Sequence, residues 1–277
     1  MTIKYFLLLI FGVVFITTYP LLPQDVQPDQ VTVAFSDPSQ PGFIKINLVG
    51  GNITVTGYNG DKVIIEAKAM YAKISPEESK KSKGMQKLQY TATGLTVEEE
   101  NNEITISAQS WKRPVEITVK APHTTSLNLK TVNDGDILVE DIEGEIEANN
   151  INGGVQLLNV SGSVVAHALN EDLIVKFKKV DPDKPMSFTS LNGDVDITLP
   201  ANTKANVTMK SDNGEIFSDF DINLKPSSTS RVEEDNRQKG GKYILKIDKN
   251  LYGTINGGGP EYVFKTFNGD VLIRRKE

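Results

Sequence analysis

The chain has 277 residues, is 38% hydrophobic and carries a formal net charge of −6, with 30 Lys and Arg against 36 Asp and Glu. It has no cysteine, which excludes disulfide scaffolds, iron–sulfur clusters, thiolate chemistry and a lipid-modified N-terminal cysteine. Its basic residues are spread along the sequence, so a nucleic-acid partner, which needs a clustered basic surface, is excluded as well.

In chain order, Lys4 precedes an apolar run from Tyr5 to Ile16 that only Gly12 interrupts. Residues 1–22 therefore predict an export signal, either a cleaved signal peptide or an uncleaved signal anchor, since Tyr5 to Leu22 approaches the length that spans a bilayer. Either places the body outside the cytoplasm: periplasmic, on the outer surface or secreted, and held at the inner membrane if uncleaved. Residues 23–42, with prolines at 23, 28, 38 and 41, read as a linker.

From Phe43 onward apolar residues alternate in short runs: Phe43 to Leu48, then Gly51-Asn52-Ile53-Thr54-Val55, then Asp61-Lys62-Val63-Ile64-Ile65. These predict strands separated by corners. Ser75-Pro76-Glu77-Glu78 has a capping serine, a first-turn proline and two early acids, and predicts one short helical or loop insertion near 75–88. Its lysines, 80, 81, 83 and 87, read as a solvated face. Leu95–Glu98 and Glu103–Ser107 predict a hairpin turning at Asn101-Asn102. Trp111, the single tryptophan, reads as a packing residue before the strand Val115–Val119.

Residues 135–179 carry the strongest signal. Cut every nine residues, the first position is Gly135, Gly144, Gly153, Gly162 and Glu171, and the third is Ile137, Ile146, Val155, Val164 and Leu173. The fifth alternates large and small: Val139, Ala148, Leu157, Ala166, Val175. The eighth is Ile142, Ile151, Val160 and Leu169, and Lys178 breaks that column. Positions three and five share one side of a strand. The large–small alternation makes the true repeat two nonamers, one on each of two faces. The fold class is therefore all-β: a single-stranded parallel β-helix or β-solenoid with coils of about 18 to 21 residues. Gly135, Gly144, Gly153, Gly162, Gly193, Gly214 and Gly269 are its structural turn positions, expected to supply positive φ at the corners.

Beyond the regular section the joints Asn192-Gly193-Asp194, Asn213-Gly214-Glu215 and Asn268-Gly269-Asp270 recur, with Gly193 and Gly214 21 residues apart as if on successive, wider coils. Residues 226–242 are polar and read as a strandless loop. The final Arg274-Arg275-Lys276-Glu277 reads as a charged end on the terminal coil. The domain organisation is thus 1–22 signal, 23–42 linker and 43–277 solenoid.

The run Gly50-Gly51-Asn52-Ile53-Thr54-Val55-Thr56-Gly57, the repeated Asn-Gly-Asp/Glu joints, and Asn256-Gly257-Gly258-Gly259-Pro260 with Thr266-Phe267-Asn268-Gly269-Asp270-Val271 carry a family resemblance. Over residues 42–277 the chain resembles the putative-adhesin β-solenoid family of bacterial exported proteins, known as a domain of unknown function. The resemblance implies the fold and a place at the cell surface, and brings no catalytic residues with it.

The residues themselves offer little chemistry. His123 and His167 are the only histidines and lack an obvious second metal ligand. The column Asp136, Glu145, Gly154, Ser163, Asp172 interrupts the acid pattern of calcium-binding solenoids. Asp194, Asp196 and Asp270 are the acids that a carbohydrate-active β-helix enzyme would have to use, but Asn-Gly-Asp reads as turn chemistry with its acid in solvent. No catalytic, metal or cofactor site is expected. The expectation is a non-enzymatic exported binding module at the envelope or surface, its partner an envelope polysaccharide or another envelope protein. The alternatives are an envelope assembly scaffold and, more remotely, a carbohydrate-active enzyme. Membrane contact is expected only through residues 1–22 if they are retained.

Overall fold

The computed structural model describes residues 28–70, 93–108, 114–133, 135–225, 231–235, 243–247 and 249–277. The signal segment 1–22, the whole insertion at 75–88, and Trp111 lie outside these residues. The strands are β1 (Asp29–Ala34), β2 (Phe43–Leu48), β3 (Ile53–Tyr58), β4 (Lys62–Ala69), β5 (Leu95–Glu100), β6 (Glu103–Ala108), β7 (Val115–Pro122) and β8 (Ser126–Thr131). There follow β9 (Ile137–Glu140), β10 (Ile146–Asn150), β11 (Val155–Gly162), β12 (Val164–Ala168), β13 (Leu173–Val180), β14 (Met186–Ser190), β15 (Val195–Pro200) and β16 (Ala205–Ser211). The last are β17 (Ile216–Ser218), β18 (Ile222–Leu224), β19 (Arg231–Asp235), β20 (Tyr243–Ile247), β21 (Leu251–Ile255), β22 (Glu261–Thr266) and β23 (Val271–Lys276).

They build two large sheets. One, here sheet A, runs β1-β4-β7-β3-β9-β11-β13-β15-β23-β17, and the other, sheet B, runs β18-β21-β16-β22-β14-β12-β10-β8-β2-β6-β5. Through the middle all pairings are parallel, as between β9 and β11, β11 and β13, β10 and β12, and β12 and β14. This is the β-solenoid expected from the nonamer. Successive nonamers alternate between the sheets, which explains the fifth-position alternation. Val139, Leu157 and Val175 line sheet A, Ala148 and Ala166 line sheet B, and all are buried.

The coils then widen. Asn152 and Asn170 stand 18 residues apart on neighbouring coils, whereas Asn170 and Asn192 stand 22 apart. A wider coil has a thicker interior, and sheet B answers by replacing Ala148 and Ala166 with Phe188 and Phe264, both fully buried. These rings stack at 5.3 Å between centroids, and Phe177 meets Phe188 edge-on at 6.1 Å.

Several expectations are corrected. Coil order in space is not chain order. β23 lies between β15 and β17, and β22 between β14 and β16. Gly193 and Gly214 therefore sit on coils separated by the chain's last coil. The charged end 274–276 belongs to that inner coil, where Arg274 Nε donates to Asp196 on β15 at 2.7 Å and 3.0 Å. The other end shows the same device: β2 and β3 lie between β6–β7 and β8–β9. Within the stretch read as a linker, residues 29–34 form β1, antiparallel to β4, and Phe35 is buried. Within the stretch read as strandless, β19 pairs antiparallel with β20. β5 and β6 form the expected hairpin, with Asn101 and Asn102 at φ 55° and 66°. No helix among the described residues is long and apolar enough to cross a membrane.

Candidate functional site

The corner joining sheet B to sheet A is the most regular surface of the molecule, and three columns of side chains run along it. The outer column is asparagine. Asn152 Nδ2 donates to Asn133 Oδ1 at 3.0 Å. Asn170 donates to Asn152, Asn192 to Asn170, Asn268 to Asn192 and Asn213 to Asn268, each at 2.8 Å. The ladder follows spatial order, passing from Asn192 to Asn268 and then back to Asn213. It therefore reports the inserted last coil directly. All these amides face solvent.

The second column is acidic. Asp136, Asp172, Asp194 and Asp270 accept the backbone N–H of Gly154, Asp194, Asp270 and Glu215 on the neighbouring coil, at 2.8–2.9 Å. Asn52 does the same for Asp136 at 3.0 Å. The acid of the Asn-Gly-Asp joint is thus an inter-coil bond and not a free solvated group. Gly154, with no side chain, interrupts the column.

The third column is inside. Thr131, Asn150, Thr266 and Ser211 donate to the carbonyls of Gly51, Gly135, Gly193 and Gly269, and Ser190 donates to that of Glu171, at 2.8–3.2 Å. Each satisfies a corner carbonyl of the neighbouring coil that no strand pairing reaches.

The turn glycines stand where the sequence places them, but for another reason. Of the seven, only Gly162 has positive φ, at 104°. The others are glycine because coils stack too closely for a Cβ. A methyl at Gly135 would lie 2.0 Å from Gly51 O, at Gly153 2.1 Å from Gly135 O, at Gly193 2.3 Å from Glu171 O, and at Gly214 2.1 Å from Gly269 O. Gly144 and Gly269 are confined in the same way, by Thr125 O at 2.4 Å and Gly193 O at 2.3 Å.

Beside the asparagine ladder runs an apolar ridge. The eighth nonamer position divides. Ile142 and Val160, on the sheet A half, are buried, whereas Ile151 is 41% exposed and Leu169 half-buried. On the sheet B half, position seven turns inward instead, as Asn150 and Ala168. The ridge continues through Leu191, 39% exposed, and Phe267, 46% exposed, each just before its ladder asparagine. Neighbouring members stand one strand spacing apart, roughly 4.8 Å.

The remaining candidates are structural. His167 Nδ1 lies 2.6 Å from Thr189 Oγ1, on the outer face of sheet B. His123 Nδ1 lies 2.7 Å from the Asp141 carbonyl and therefore donates to it. Asp194 and Asp270 belong to the acid column and Asp196 holds Arg274, so the three acids share no groove as free groups. Glu145 and Ser163 precede sheet B strands and Asp136, Gly154 and Asp172 precede sheet A strands, so the five do not form one column.

Tyr262 is fully buried and its hydroxyl has no partner among the described residues. Burial first, and the Asp181 charge second, push it up from 10.0 to about 12. The folded chain therefore holds this proton while the unfolded chain releases it, and stability that is intact below pH 10 is lost as pH rises toward 12. Tyr262→Phe is expected to stabilise the fold at neutral pH by about 1 kcal/mol, by removing an unsatisfied buried hydroxyl. It should also flatten the alkaline loss relative to the unaltered chain. Thermal melts of the two proteins from neutral to strongly alkaline pH check both.

The fold and corner thus define an all-β solenoid whose recurrent motif residues hold coils together. The chain belongs to the Toastrack DUF4097 family, whose model matches residues 44–274. Solved structures that it is similar to include a "putative cell adhesion protein" from Clostridium sporogenes, at 10% identity and TM-score 0.41, covering 90% of this chain and 100% of that one. Another is a "putative adhesin" from Bacteroides fragilis, at 12% identity and TM-score 0.33, covering 90% and 97%. A third, from Parabacteroides merdae, has 8% identity and TM-score 0.30, covering 91% and 98%. Likeness at this level carries no argument about function. No curated protein matches the chain.

Proposed function

We propose that the chain is a non-enzymatic, adhesin-like binding module of the cell envelope or surface, working through the corner ridge. The observation that supports this is the unbroken asparagine ladder flanked by exposed Ile151, Leu191 and Phe267. Exposed aliphatic and aromatic side chains cost solubility when aligned, and aligned patches mark interaction surfaces. A partner that is itself regular, such as an envelope polysaccharide, meets each rung with a modest contact and gains affinity from their number.

The full chain is expected to sediment saturably with isolated envelopes of the producing cell. Leu191→Lys with Phe267→Lys should weaken that binding at least about tenfold, a loss of roughly 1.4 kcal/mol, without lowering the melting temperature. Equal binding by the altered and unaltered chains would sink the ridge as the binding surface. Mass spectrometry of the N-terminus after cell fractionation tests the exported location. A cytoplasmic chain would contradict it.

A second reading, an assembly scaffold, is favoured by the end of the stack bearing β17 and β18. There Phe217 and Leu224 are each 53% exposed and Leu251 is 39% exposed, all on outermost or next-outermost strands. Strictly monomeric sedimentation at high protein concentration would remove this reading.

A further inference from the structure

At the opposite corner, where sheet A passes back to sheet B, the widening of the coils leaves a cleft of about 710 Å³. Three segments wall it: the end of β13 and the residues after it, the turn 200–204 after β15, and Gly258-Gly259 before β22. Below it the chain turns tightly through Gly162, and above it the extra residues of the wide coils project. The cleft is the ledge between them.

Its lining includes Lys178, Lys179 and Lys204 and no carboxylate. Lys178 is paired with Glu143 at 3.2 Å, both exposed. Among the described residues neither Lys179 nor Lys204 has an ion pair. Asp181, next to the cleft, accepts the Asp183 N–H at 3.0 Å and so is directed into its own loop. Val180, Pro182 and Pro200 give the cleft apolar walls.

The walls are held in place before any ligand arrives. Asn256, at φ 48°, donates through Nδ2 to Ala201 O at 3.1 Å and to Thr203 O at 2.7 Å, clamping the 200–204 turn. Asn206 Nδ2 bonds Gly259 O. A Cβ at Gly259 would lie 2.5 Å from Lys204 O, so the two walls touch backbone to backbone. Thr203, 2% exposed, packs the 200–204 turn into this wall with its Oγ1 shut away from solvent. A rigid, cationic, part-apolar cleft has the features of a small-ligand site.

We propose that this cleft binds an anionic group, a carboxylate or phosphate, carried on a sugar-sized body of an envelope polymer. Lys179 and Lys204 supply the charge, and Val180, Pro182 and Pro200 pack the body. The assignment of the polymer rests on the binding-module reading, but the site is distinct from the ridge.

The test is a titration of the isotope-labelled full chain, followed by NMR, with trigalacturonate, glycerol 3-phosphate, inorganic phosphate and neutral maltotriose as separate probes. Saturable shifts with the anions, focused on residues 178–182, 200–204 and 258–259, are expected. Lys179→Gln with Lys204→Gln should weaken that binding at least about tenfold, and Lys45→Gln, in β2, should not change it. Trigalacturonate binding more tightly than inorganic phosphate would assign the group to a carboxylated sugar, and the reverse order to a phosphate. Equal binding of maltotriose, equal anion binding by the double variant, or no anion binding would overturn the site. Envelope sedimentation of the same double variant separates the two ideas. If the unaltered chain binds no anion in the cleft while both chains still sediment with envelopes, only the cleft proposal falls.

Discussion

Phe188→Ala is expected to lower the stability of the chain by about 3–5 kcal/mol, the range for emptying a buried phenylalanine site. The ring is fully buried and lies between two others, stacked on Phe264 and edge-on to Phe177. Its loss removes transfer free energy and both ring contacts at once, and each aromatic pair adds about 0.5–1.5 kcal/mol beyond area. Collapse cannot fill the gap, because the coil width that made room for a phenylalanine is set by its backbone ladder. A net stability of about 5–15 kcal/mol is typical of a domain, so the variant should be near the margin. Urea denaturation midpoints check this, with Phe188→Leu as the milder partner expected to lose well under half as much. A drop no larger than that of a surface substitution would mean that the wide coils are loosely packed.

Gly153→Ala and Gly154→Ala should differ sharply although the residues are adjacent. A Cβ at Gly153 would lie 2.1 Å from Gly135 O and 2.8 Å from both Asn150 Nδ2 and Asp136 Oδ1. One coil would have to lift from the next, at a cost of about 1–3 kcal/mol or more. A Cβ at Gly154 meets nothing closer than 3.5 Å, and its φ is not positive. There the substitution only restricts the unfolded chain, and should be neutral or stabilising by about 0.4–1 kcal/mol. Thermal melts of the pair check the sign as well as the size. Equal losses at both sites would show that corner glycines act through backbone conformation after all.

Much of this fold was legible because one constraint repeats. Ile137, Val155 and Leu173 occupy the same place in successive sheet A strands, and any slip would turn them out to water. The two-sheet arrangement was visible in Ala148 and Ala166 against Val139 and Leu157. The ridge was not. Ile151 and Leu169 resemble Ile142 and Val160 in type and spacing. A signal existed, however: Ile151 and Leu169, on the ridge, are followed by asparagine, and the buried Ile142 and Val160 by Glu143 and Ser161. The role of the glycines was also hidden, since close stacking and positive φ both select glycine. Coil order was the least accessible. Asn192-Gly193-Asp194 and Asn268-Gly269-Asp270 are the same motif, and nothing local says that the second sits beside the first. The cleft depends on a step between narrow and wide coils, a three-dimensional offset with no local signature.

The placement of the last coil between two earlier ones bears on how the molecule is made. A parallel solenoid read in order can add rungs as the chain lengthens, each new rung finding its template already formed. Here the Asn192–Asn268 rung joins residues 76 apart, and the coil of β16 and β17 has no parallel neighbour until the final residues arrive. High separation of partners slows folding, since the loop must close before its contacts reward it. Growth from the N-terminus must therefore pause at β15 and finish in one late cooperative step. A chain truncated before residue 261 would lack an inner coil, and not merely its tip.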